Sequence, residues 1–290
     1  MTNRKGIVLA GGLGTRLRPL TNVISKQLLP VYDKPMIYYP ISVLMLAGIQ
    51  DIMIISSPED INNYKTLLGD GKSFGINLSY TVQYQPNGLA EAFILSERFI
   101  KNHYSALILG DNIFYGQNFS SSLKDASNQT DGATIFGYRV QDPTAYGVVE
   151  MSKQNTPISI EEKPLEPKSN VAVTGLSFYD SDVIDISKSL KPSSRGELEI
   201  TEVNNHYLQT KKLHVSMLGR GFTWLDSGTI ESLLEASHLI QTIEKSQGFK
   251  IACLEEIAFK NKWITIEDLK KSIQYYKNNS YGKYLQNLIS

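Results

Sequence analysis

The sequence predicts an α/β protein with a Rossmann-like, mixed but mainly parallel sheet, flanked by helices and followed by a helical C-terminal region. Two observations predict this class. Short apolar segments alternate with segments of helical spacing through the first half of the chain, an order typical of parallel strands joined by crossover helices. A glycine-rich loop follows the first apolar segment, at the strand end where such sheets bind ligands.

The elements of the first half follow from their composition. Ile7–Ala10 is a short buried-type strand, and Pro35–Ala47 has the apolar content of a buried helix that stops at Gly48. The pattern then predicts a strand at 51–56, a helix opening at 58–60, a strand at 78–83, a helix at 89–100 and a strand at 105–109. We expect the carboxyl ends of these strands to converge.

The second half begins with shorter strands, which we expect to extend the sheet and to wall a second pocket. They are predicted at 133–138, 148–151, 158–162, 171–178 and 214–218, with a helix near 200–209. Beyond Gly228 the pattern is helical, with candidates at 230–245, 255–260 and 266–277. We therefore divide the chain into a core of residues 1–229 and a helical region of residues 230–290.

The bulk composition limits the classes of function. Lys plus Arg and Asp plus Glu both number 29, and this balance argues against a nucleic-acid partner, which favours a basic excess. The single cysteine, Cys253, excludes an intrachain disulfide and fits a reducing compartment. The longest apolar stretch, 36–49, contains Pro40 and is too short to span a membrane. With no targeting segment visible, we expect a cytoplasmic protein without a membrane partner.

The segment Gly11–Arg18 has the composition of a phosphate-binding loop. Three glycines in four positions let backbone N–H groups approach an anion, and Arg16 and Arg18 add charge-assisted hydrogen bonds. The segment lacks the Gly-Lys-Ser/Thr ending of a P-loop, and Leu17 stands where a dinucleotide-binding loop needs its third glycine. The remaining alternative is a tight turn with surface arginines.

Two isolated carboxylates, Asp111 and Asp226, each follow a short apolar segment beside a glycine. Together they are suited to one Mg²⁺ ion, which takes few protein oxygens and completes its shell with water and phosphate. An aspartate in such a position is also a common helix or turn cap, so spacing alone leaves both interpretations open.

Three further side chains are candidates with equally simple alternatives. Lys26 follows the glycine loop, and Lys163 follows a strand that Pro164 ends. Either lysine alone is as well explained by a solvated surface position. Gln83 has an amide that can offer a paired donor and acceptor to a nucleobase edge, but glutamine is also common on strand surfaces.

Taken together, these motifs resemble the sugar-phosphate nucleotidylyltransferases along nearly the whole chain. Lys34–Pro40 and Arg195–Thr201 narrow the resemblance to the thymidylyl branch of that family. The matching segments are Gly11–Thr21, Ser25–Pro40, Pro86–Ala92, Leu109–Gly116, Tyr146–Glu150, Glu161–Pro164, Thr174–Asp180, Arg195–Asn204 and Trp224–Thr229.

The resemblance implies the nucleotidyltransferase fold and one reaction. In it, dTTP and glucose 1-phosphate give dTDP-glucose and pyrophosphate, with Mg²⁺ as cofactor, to supply dTDP-sugar biosynthesis such as that of dTDP-rhamnose. Residues 1–132 would then bind the nucleotide, residues 133–229 the sugar phosphate, and residues 230–290 would serve oligomer contacts and regulation. The alternatives are the same chemistry with UTP or another sugar 1-phosphate, and a non-catalytic nucleotide-binding regulatory subunit.

The resemblance also implies a role for each matching residue. The catalytic residues would be Arg16, Lys26, Asp111, Lys163 and Asp226, with Asp111 and Asp226 as metal ligands. The nucleotide would be bound by Leu9, Gly11, Gly12, Gly14, Thr15, Arg16, Lys26, Gln27, Gln83, Pro86, Gly88 and Asp111. The sugar phosphate would be bound by Asn112, Tyr146, Gly147, Glu162, Lys163, Val173 and Arg195. Tyr115, Gly116 and Glu256 match parts of a regulatory nucleotide site between the subunits of a homotetramer.

The chain departs from the family pattern at a few positions. The family usually has Asp where Asn87 stands, Gln where Glu91 stands and Tyr where Ser177 stands. In the regulatory site, Gln117 replaces a usual histidine and Lys262 a usual glycine.

Overall fold

A computed structural model describes residues 4–290 of the chain. The strands of this part are β1 (Arg4–Ala10), β2 (Pro30–Val31), β3 (Lys34–Pro35), β4 (Asp51–Ser56), β5 (Asn77–Val82), β6 (Tyr104–Leu109), β7 (Asn112–Tyr115), β8 (Ala133–Arg139), β9 (Gly147–Met151), β10 (Pro157–Glu162), β11 (Val171–Tyr179), β12 (Leu213–Met217) and β13 (Thr223–Asp226). The helices are α1 (Tyr38–Leu46), α2 (Ile61–Leu68), α3 (Glu91–Leu95), α4 (Glu97–Ile100), α5 (Phe119–Asn128), α6 (Val183–Ser189), α7 (Ile200–Gln209), α8 (Ile230–Gln247), α9 (Leu254–Lys260), α10 (Ile266–Tyr275) and α11 (Ser280–Asn287).

The large sheet is mixed, with its parallel part in the first half of the chain. Its strand order is β10-β9-β11-β6-β1-β4-β5, and β8 joins β11 to β12. Strands β6, β1, β4 and β5 are all parallel, whereas β11 runs antiparallel to β6, β8 and β9. The α/β class and the mainly parallel central sheet are therefore confirmed.

Helices cover both faces of the sheet. Because successive strand residues point to opposite faces, one strand contributes side chains to the core on each side. In β1, Val8 belongs to the core under α1, while Ile7 and Leu9 belong to the core under α3 and α7. All three side chains are less than a tenth exposed. This double burial explains why the strand is a continuous apolar run without polar alternation.

Several elements differ from the sequence prediction. The helix expected over 89–100 is interrupted at Ser96, whose hydroxyl donates to the Ala92 carbonyl at 2.6 Å, a bond that competes with regular helix geometry. The helix expected from Pro35 begins at Tyr38, because Lys34–Pro35 pairs with β2 in a hairpin. The sequence prediction missed β2, β3, α5, α6 and α11, and did not identify β7 and β13 as paired strands.

A buried ion network ties α8 to the β2–β3 hairpin. The Lys34 ammonium lies 3.1 Å from Glu244 Oε1, and Lys250 lies 3.0 Å from Glu244 Oε2. Both lysines also contact Asp33, and the Ile251 amide donates to Glu244 at 2.9 Å. The Lys34 and Glu244 side chains are only 3% and 4% exposed. Glu244 therefore compensates cations that have little access to water.

Among residues 4–290, no helix is both long enough and apolar enough to cross a membrane.

Candidate active site

The glycine loop leaves the carboxyl end of β1 and is anchored at its far side. Gly12 and Gly14 have φ angles of +98° and +56°, which side chains rarely adopt. The Thr21 hydroxyl donates to the Gly14 carbonyl at 2.7 Å, and Leu17 is fully buried. Among residues 4–290, and apart from Gly12 and its two chain neighbours, no heavy atom lies within 4 Å of where a Cβ of Gly12 would stand, so the backbone there is open to a ligand.

Three cavities follow one another along the carboxyl ends of the parallel strands. A cavity of about 430 Å³ lies beside the glycine loop, and it shares Gly12, Lys26, Gln83 and Pro86 with a second cavity of about 210 Å³. The second cavity is lined by Leu9, Gly11, Gly12, Lys26, Gln27, Gln83, Pro86, Gly88, Leu89, Leu109, Asp111 and Glu197. A third, of about 620 Å³, has among its lining residues Arg16, Asp111, Asn112, Tyr146, Gly147, Glu162, Lys163, Val173, Thr201, Trp224 and Asp226. Asp111 lines both the second and the third cavity.

The Asp111 carboxylate is held from both sides. Lys26 pairs with its Oδ2, and the Asn112 amide donates to its Oδ1 at 3.0 Å. The Asn112 side chain is itself fixed, because its Oδ1 accepts from the Trp224 indole at 2.7 Å and from the Gly175 amide at 3.0 Å. The carboxylate at the junction of the two cavities is therefore preorganised by its own neighbours.

Asp226, the second carboxylate, is positioned near Asp111 by a two-stranded sheet. Strand β13 runs antiparallel to β7, and their register sets Asp226 opposite Asn112, the residue after Asp111. The Ser227 amide also donates to the Asp111 carbonyl at 3.1 Å. Long-range strand pairing thus brings two segments that are far apart in sequence to the same edge of the large sheet.

The two carboxylates affect each other electrostatically. Burial and, after it, the neighbouring Asp111 raise the pKa of Asp226 to about 6. Lys26, Arg16 and Lys163 act in the opposite direction. The pKa of Asp226 is raised despite these three cations because burial is the largest of the causes.

This donor set fits a divalent cation. Asp111 and Asp226 offer hard carboxylate oxygens, and a bound cation would favour the charged form of Asp226, which burial and Asp111 disfavour. Among residues 4–290, no group of three or more His, Cys, Asp or Glu side chains is arranged to hold a metal. An ion held by this pair would need water or substrate oxygens as its other ligands.

Arg16 lies on the side of the third cavity, away from the second. A Cβ on Gly228 would come within 2.6 Å of its guanidinium, so the arginine packs directly over this glycine. The sequence assigned Arg16 to the nucleotide, and its position beside Asp226 puts it within the same groove. Gly14 and Thr15, from the same assignment, line none of the three cavities.

The third cavity has a carboxylate surrounded by donors. Glu162 Oε2 accepts from the Thr201 hydroxyl at 2.5 Å, and its Oε1 lies 3.4 Å from Arg195 and 3.8 Å from the Lys163 ammonium. Lys163 has a φ of +44°, and its amide donates to the Tyr146 carbonyl at 3.0 Å. The turn after β10 is thereby fastened to the segment before β9.

Arg195 differs from the other residues assigned to the sugar phosphate. Asn112, Tyr146, Gly147, Glu162, Lys163 and Val173 line the third cavity, whereas Arg195 meets it only through Glu162. Its guanidinium donates to Glu197 at 2.9 Å and lies 3.8 Å from Glu199. An incoming phosphate would therefore compete with carboxylates for this side chain.

Gln27 is buried, and its side-chain amide is hydrogen-bonded to other groups of the protein. Its Oε1 accepts from the Ser25 hydroxyl at 2.6 Å and from Tyr64 at 3.3 Å, while its Nε2 donates to the Gly11 carbonyl at 3.4 Å. These bonds hold the start of the glycine loop. Gln27 lines the second cavity mainly as a support for that loop.

Gln83 directly follows β5 and is hydrogen-bonded to Glu91, one of the departures from the family pattern. Its Nε2 donates to Glu91 at 2.7 Å, and the Asn87 amide donates to the other oxygen of Glu91 at 2.8 Å. Gly88 has a φ of +114°, and a Cβ there would come within 2.4 Å of the Leu198 carbonyl. Only glycine permits this close approach of the two backbones.

The residues assigned to regulation have partners of their own. The Tyr115 hydroxyl lies 3.4 Å from Gln247, and Gly116 packs against the Phe222 ring. Glu256 accepts from Lys260 at 2.6 Å and from Tyr284 at 2.7 Å.

Sequence reasoning did not single out several residues that the fold places at the site. Trp224 and Thr201 bond to Asn112 and Glu162, and both lay in matching segments without an assigned role. Glu91 was noted in the sequence only as a departure from the family pattern, without a role.

Comparisons with known proteins show which sequences and folds this chain is similar to. The sequence model of the nucleotidyl transferase family matches residues 5–243. A glucose-1-phosphate thymidylyltransferase of Neisseria gonorrhoeae is 58% identical over 285 residues, which are 98% of this chain and 99% of that protein. The enzyme of the same name from Mycobacterium tuberculosis is 52% identical over the same shares of the two chains.

Solved structures show the same architecture. A Bacillus anthracis protein assigned as a glucose-1-phosphate thymidylyltransferase, in complex with sucrose, has a TM-score of 0.76 and 44% identity over 81% of this chain and 94% of that chain. A UDP-glucose pyrophosphorylase in complex with UDP-glucose has a TM-score of 0.73 and 25% identity, covering 83% of this chain and 99% of the other.

Proposed function

This chain belongs to the nucleotidyl transferase family, and from that premise we propose that it is a glucose-1-phosphate thymidylyltransferase, which transfers a thymidylyl group from dTTP to α-D-glucose 1-phosphate. The products are dTDP-glucose and pyrophosphate. The observation that carries the proposal is the place of Asp111, which lines both the second cavity, of about 210 Å³, and the third cavity, around Glu162. One groove thereby offers adjoining places for two phosphorylated substrates.

The reaction requires two polyanions to approach each other. A phosphate oxygen of glucose 1-phosphate forms a bond to the α-phosphorus of dTTP, and the bond from that phosphorus to the departing pyrophosphate breaks. The attacking oxygen is already anionic at neutral pH, so the site needs no general base. Positioning and charge neutralisation therefore account for the catalysis.

We assign the chain's own cations to this task. Lys26 and the backbone amides of Gly11–Gly14 bind the triphosphate, and Arg16 stabilises the charge that develops on pyrophosphate. Lys163 and Arg195 meet the phosphate of the sugar. For Arg195 this requires partial release from Glu197, because the guanidinium is bonded to that carboxylate at 2.9 Å.

We assign the divalent ion to Asp111 and Asp226 and propose that it is Mg²⁺. When bound, the ion supplies positive charge that neutralises the phosphate oxygens between the two substrates. The protein's part is to hold both carboxylates in place, through Lys26 and Asn112 on Asp111 and through the β7–β13 pairing on Asp226.

On the sugar side, Glu162 accepts hydroxyl groups of the hexose. Its Oε2 already accepts from Thr201 and its Oε1 faces Lys163, so the carboxylate is oriented before substrate arrives. Asn112 has both ends of its amide engaged in the protein, and its contribution is to orient Asp111. Tyr146, Gly147 and Val173 shape the wall of this cavity.

The assembly and location belong to the same proposal. We propose a homotetramer that acts in the cytoplasm, with residues 1–229 as catalytic core and residues 230–290 as the region of oligomer and regulatory contacts. Ile230 and Leu234 support this, since they lie one turn apart on α8 and are 46% and 55% exposed. Tyr115, Gly116 and Glu256 are the candidates for effector contacts.

The same chemistry with UTP is the second candidate, because uracil and thymine present the same hydrogen-bonding edge. A non-catalytic subunit is disfavoured because Lys26, Asp111, Lys163 and Asp226 are all retained and lie along one groove.

A substrate panel tests the proposal. The purified protein is incubated with Mg²⁺, one of several nucleoside triphosphates and one of several sugar 1-phosphates, and pyrophosphate release is measured. We expect dTTP with glucose 1-phosphate to have the highest kcat/KM. Absence of pyrophosphate with every pair, with Mn²⁺ as well as Mg²⁺, would refute the assignment, and a higher kcat/KM with UTP would support the second candidate.

A further inference from the structure

The amide of Gln83 is oriented by a chain of two hydrogen bonds that starts outside the cavity. Gln83 Nε2 donates to Glu91 Oε2 at 2.7 Å, and Asn87 Nδ2 donates to Glu91 Oε1 at 2.8 Å. Gln83 is buried and lines the cavity of about 210 Å³, whereas Asn87 is exposed. A position at the surface is thus connected to a buried amide through one carboxylate.

The carboxylate determines which end of the amide faces the cavity. An ionised carboxylate can only accept hydrogen bonds, so Glu91 must be met by the NH₂ group of Gln83. The carbonyl oxygen of Gln83 then points the other way, and a Cβ on Gly11 would come within 2.9 Å of it. Gly11 lines the same cavity, so the acceptor end of Gln83 lies on the side of the glycine loop.

The segment that carries this chain of bonds is held rigidly. The Leu198 amide donates to the Asn87 carbonyl at 2.7 Å, and the Ala90 amide donates to the Leu198 carbonyl at 3.1 Å. Both ends of the turn before α3 are therefore bonded to the same residue. Glu91, the first residue of α3, has little freedom to move away from Gln83.

We infer that the Asn87–Glu91 pair is a specificity device that fixes the polarity of Gln83 and so selects pyrimidines with a protonated N3, thymine and uracil, over cytosine. The inference rests on the proposed function, in which Gln83 meets the base. Thymine offers an N3–H donor, which the carbonyl oxygen of Gln83 accepts. Cytosine has an unprotonated acceptor at N3, which would face another acceptor. Glu91 acts through Gln83 and is a positioning residue.

The direction of these two hydrogen bonds determines what substitutions at positions 87 and 91 should do to the Gln83 amide. In Glu91→Gln alone, the pair of amides at 87 and 91 has two orientations, and one of them turns the Gln83 amide around. Adding Asn87→Asp removes that freedom, because a carboxylate at 87 must be met by the NH₂ group at 91. The carbonyl oxygen at 91 then faces Gln83 and again accepts from its NH₂ group.

The experiment measures kcat/KM and equilibrium binding for dTTP and for dCTP. We expect the dTTP-to-dCTP preference to fall roughly tenfold or more in Glu91→Gln, since the base then meets a misdirected buried amide. The double variant Asn87→Asp/Glu91→Gln should recover most of the preference. Glu97→Gln is the matched control, because it removes a neighbouring exposed carboxylate that contacts Lys188.

The outcomes separate this inference from the proposed function. A structural role for Glu91 would weaken both nucleotides alike and leave the preference unchanged, and that result would overturn the inference alone. A double variant no more selective than Glu91→Gln would overturn it as well. A wild-type protein that neither binds nor uses dTTP would overturn the proposed function together with the inference.

Discussion

Replacing Asp226 by asparagine should abolish turnover and at the same time make the metal-free protein more stable. The asparagine keeps the size of the side chain and removes the charge that Asp111 and burial disfavour. The same charge is needed to hold the divalent ion, so function and stability change in opposite directions.

The expected gain in stability follows from the pKa of Asp226 in the folded protein. The pKa of Asp226 rises from 3.8 to about 6, roughly two units at about 1.4 kcal/mol per unit, which gives an upper limit of about 3 kcal/mol. Spread over 290 residues, with an unfolding entropy of about 2 cal/mol/K per residue, this corresponds to a rise in Tm of about 5 °C.

The difference in stability between the wild type and Asp226→Asn should grow as the pH rises. The folded protein holds the Asp226 proton more tightly than the unfolded chain, so the wild type loses stability as pH rises from about 4 through about 6. The asparagine variant has no such loss at this position. The gap in Tm should therefore be small near pH 4 and complete above pH 7.

Calorimetry in EDTA between pH 4.5 and 7.5 measures this gap, with Asp125→Asn as a control at an exposed carboxylate on α5. A variant that is less stable than the wild type at pH 7.5 would contradict the argument, as would a gap that widens toward low pH. Adding Mg²⁺ with dTTP should raise the Tm of the wild type more than that of the variant.

Two further predictions concern other parts of the molecule. Lys163→Ala should lower kcat/KM for glucose 1-phosphate by about 100-fold or more, because it removes a cation from the cavity around Glu162. The circular dichroism spectrum should be unchanged, and near-normal turnover would exclude the phosphate-binding role. Glu244→Gln should lower the free energy of unfolding by about 3 kcal/mol in denaturant titrations, because it removes the negative charge that pairs with the buried ammonium groups of Lys34 and Lys250. An unchanged midpoint would mean that the network contributes little.

Much of the fold could be predicted from the sequence because the parallel strands are buried on both faces. The run Asp51–Ser56 forms a strand with the predicted bounds, and Ile200–Gln209 forms the predicted helix. Short strands could not be predicted in this way. Residues 112–115 and 223–226 become strands only because they pair with each other, and four residues carry too little periodicity to signal a strand.

The candidate site, like the fold, could be predicted from the sequence only in part. The glycine loop and the isolated aspartates were visible in the sequence because glycines and unpaired charges beside apolar segments are locally unusual. The sequence suggested that Asp111 and Asp226 share one ion, but it did not show how they are brought together, since nothing local relates the two positions. The orientation of Gln83 by Glu91 was also hidden, because a hydrogen bond has a direction that composition does not record.

By itself, therefore, the sequence determined which chemistry the chain carries: an anion-binding loop followed by Lys26, and two carboxylates and Lys163 beside short apolar segments. Residue type and local pattern are properties of the chain. Only the tertiary structure decided how these groups act together. The pairing of β7 with β13 sets Asp226 opposite Asn112, and Lys26 meets Asp111 across the groove, so that Asp111 lines both cavities. The physical reason is that electrostatic neutralisation depends on distance in space, which long-range strand pairing establishes and sequence separation does not.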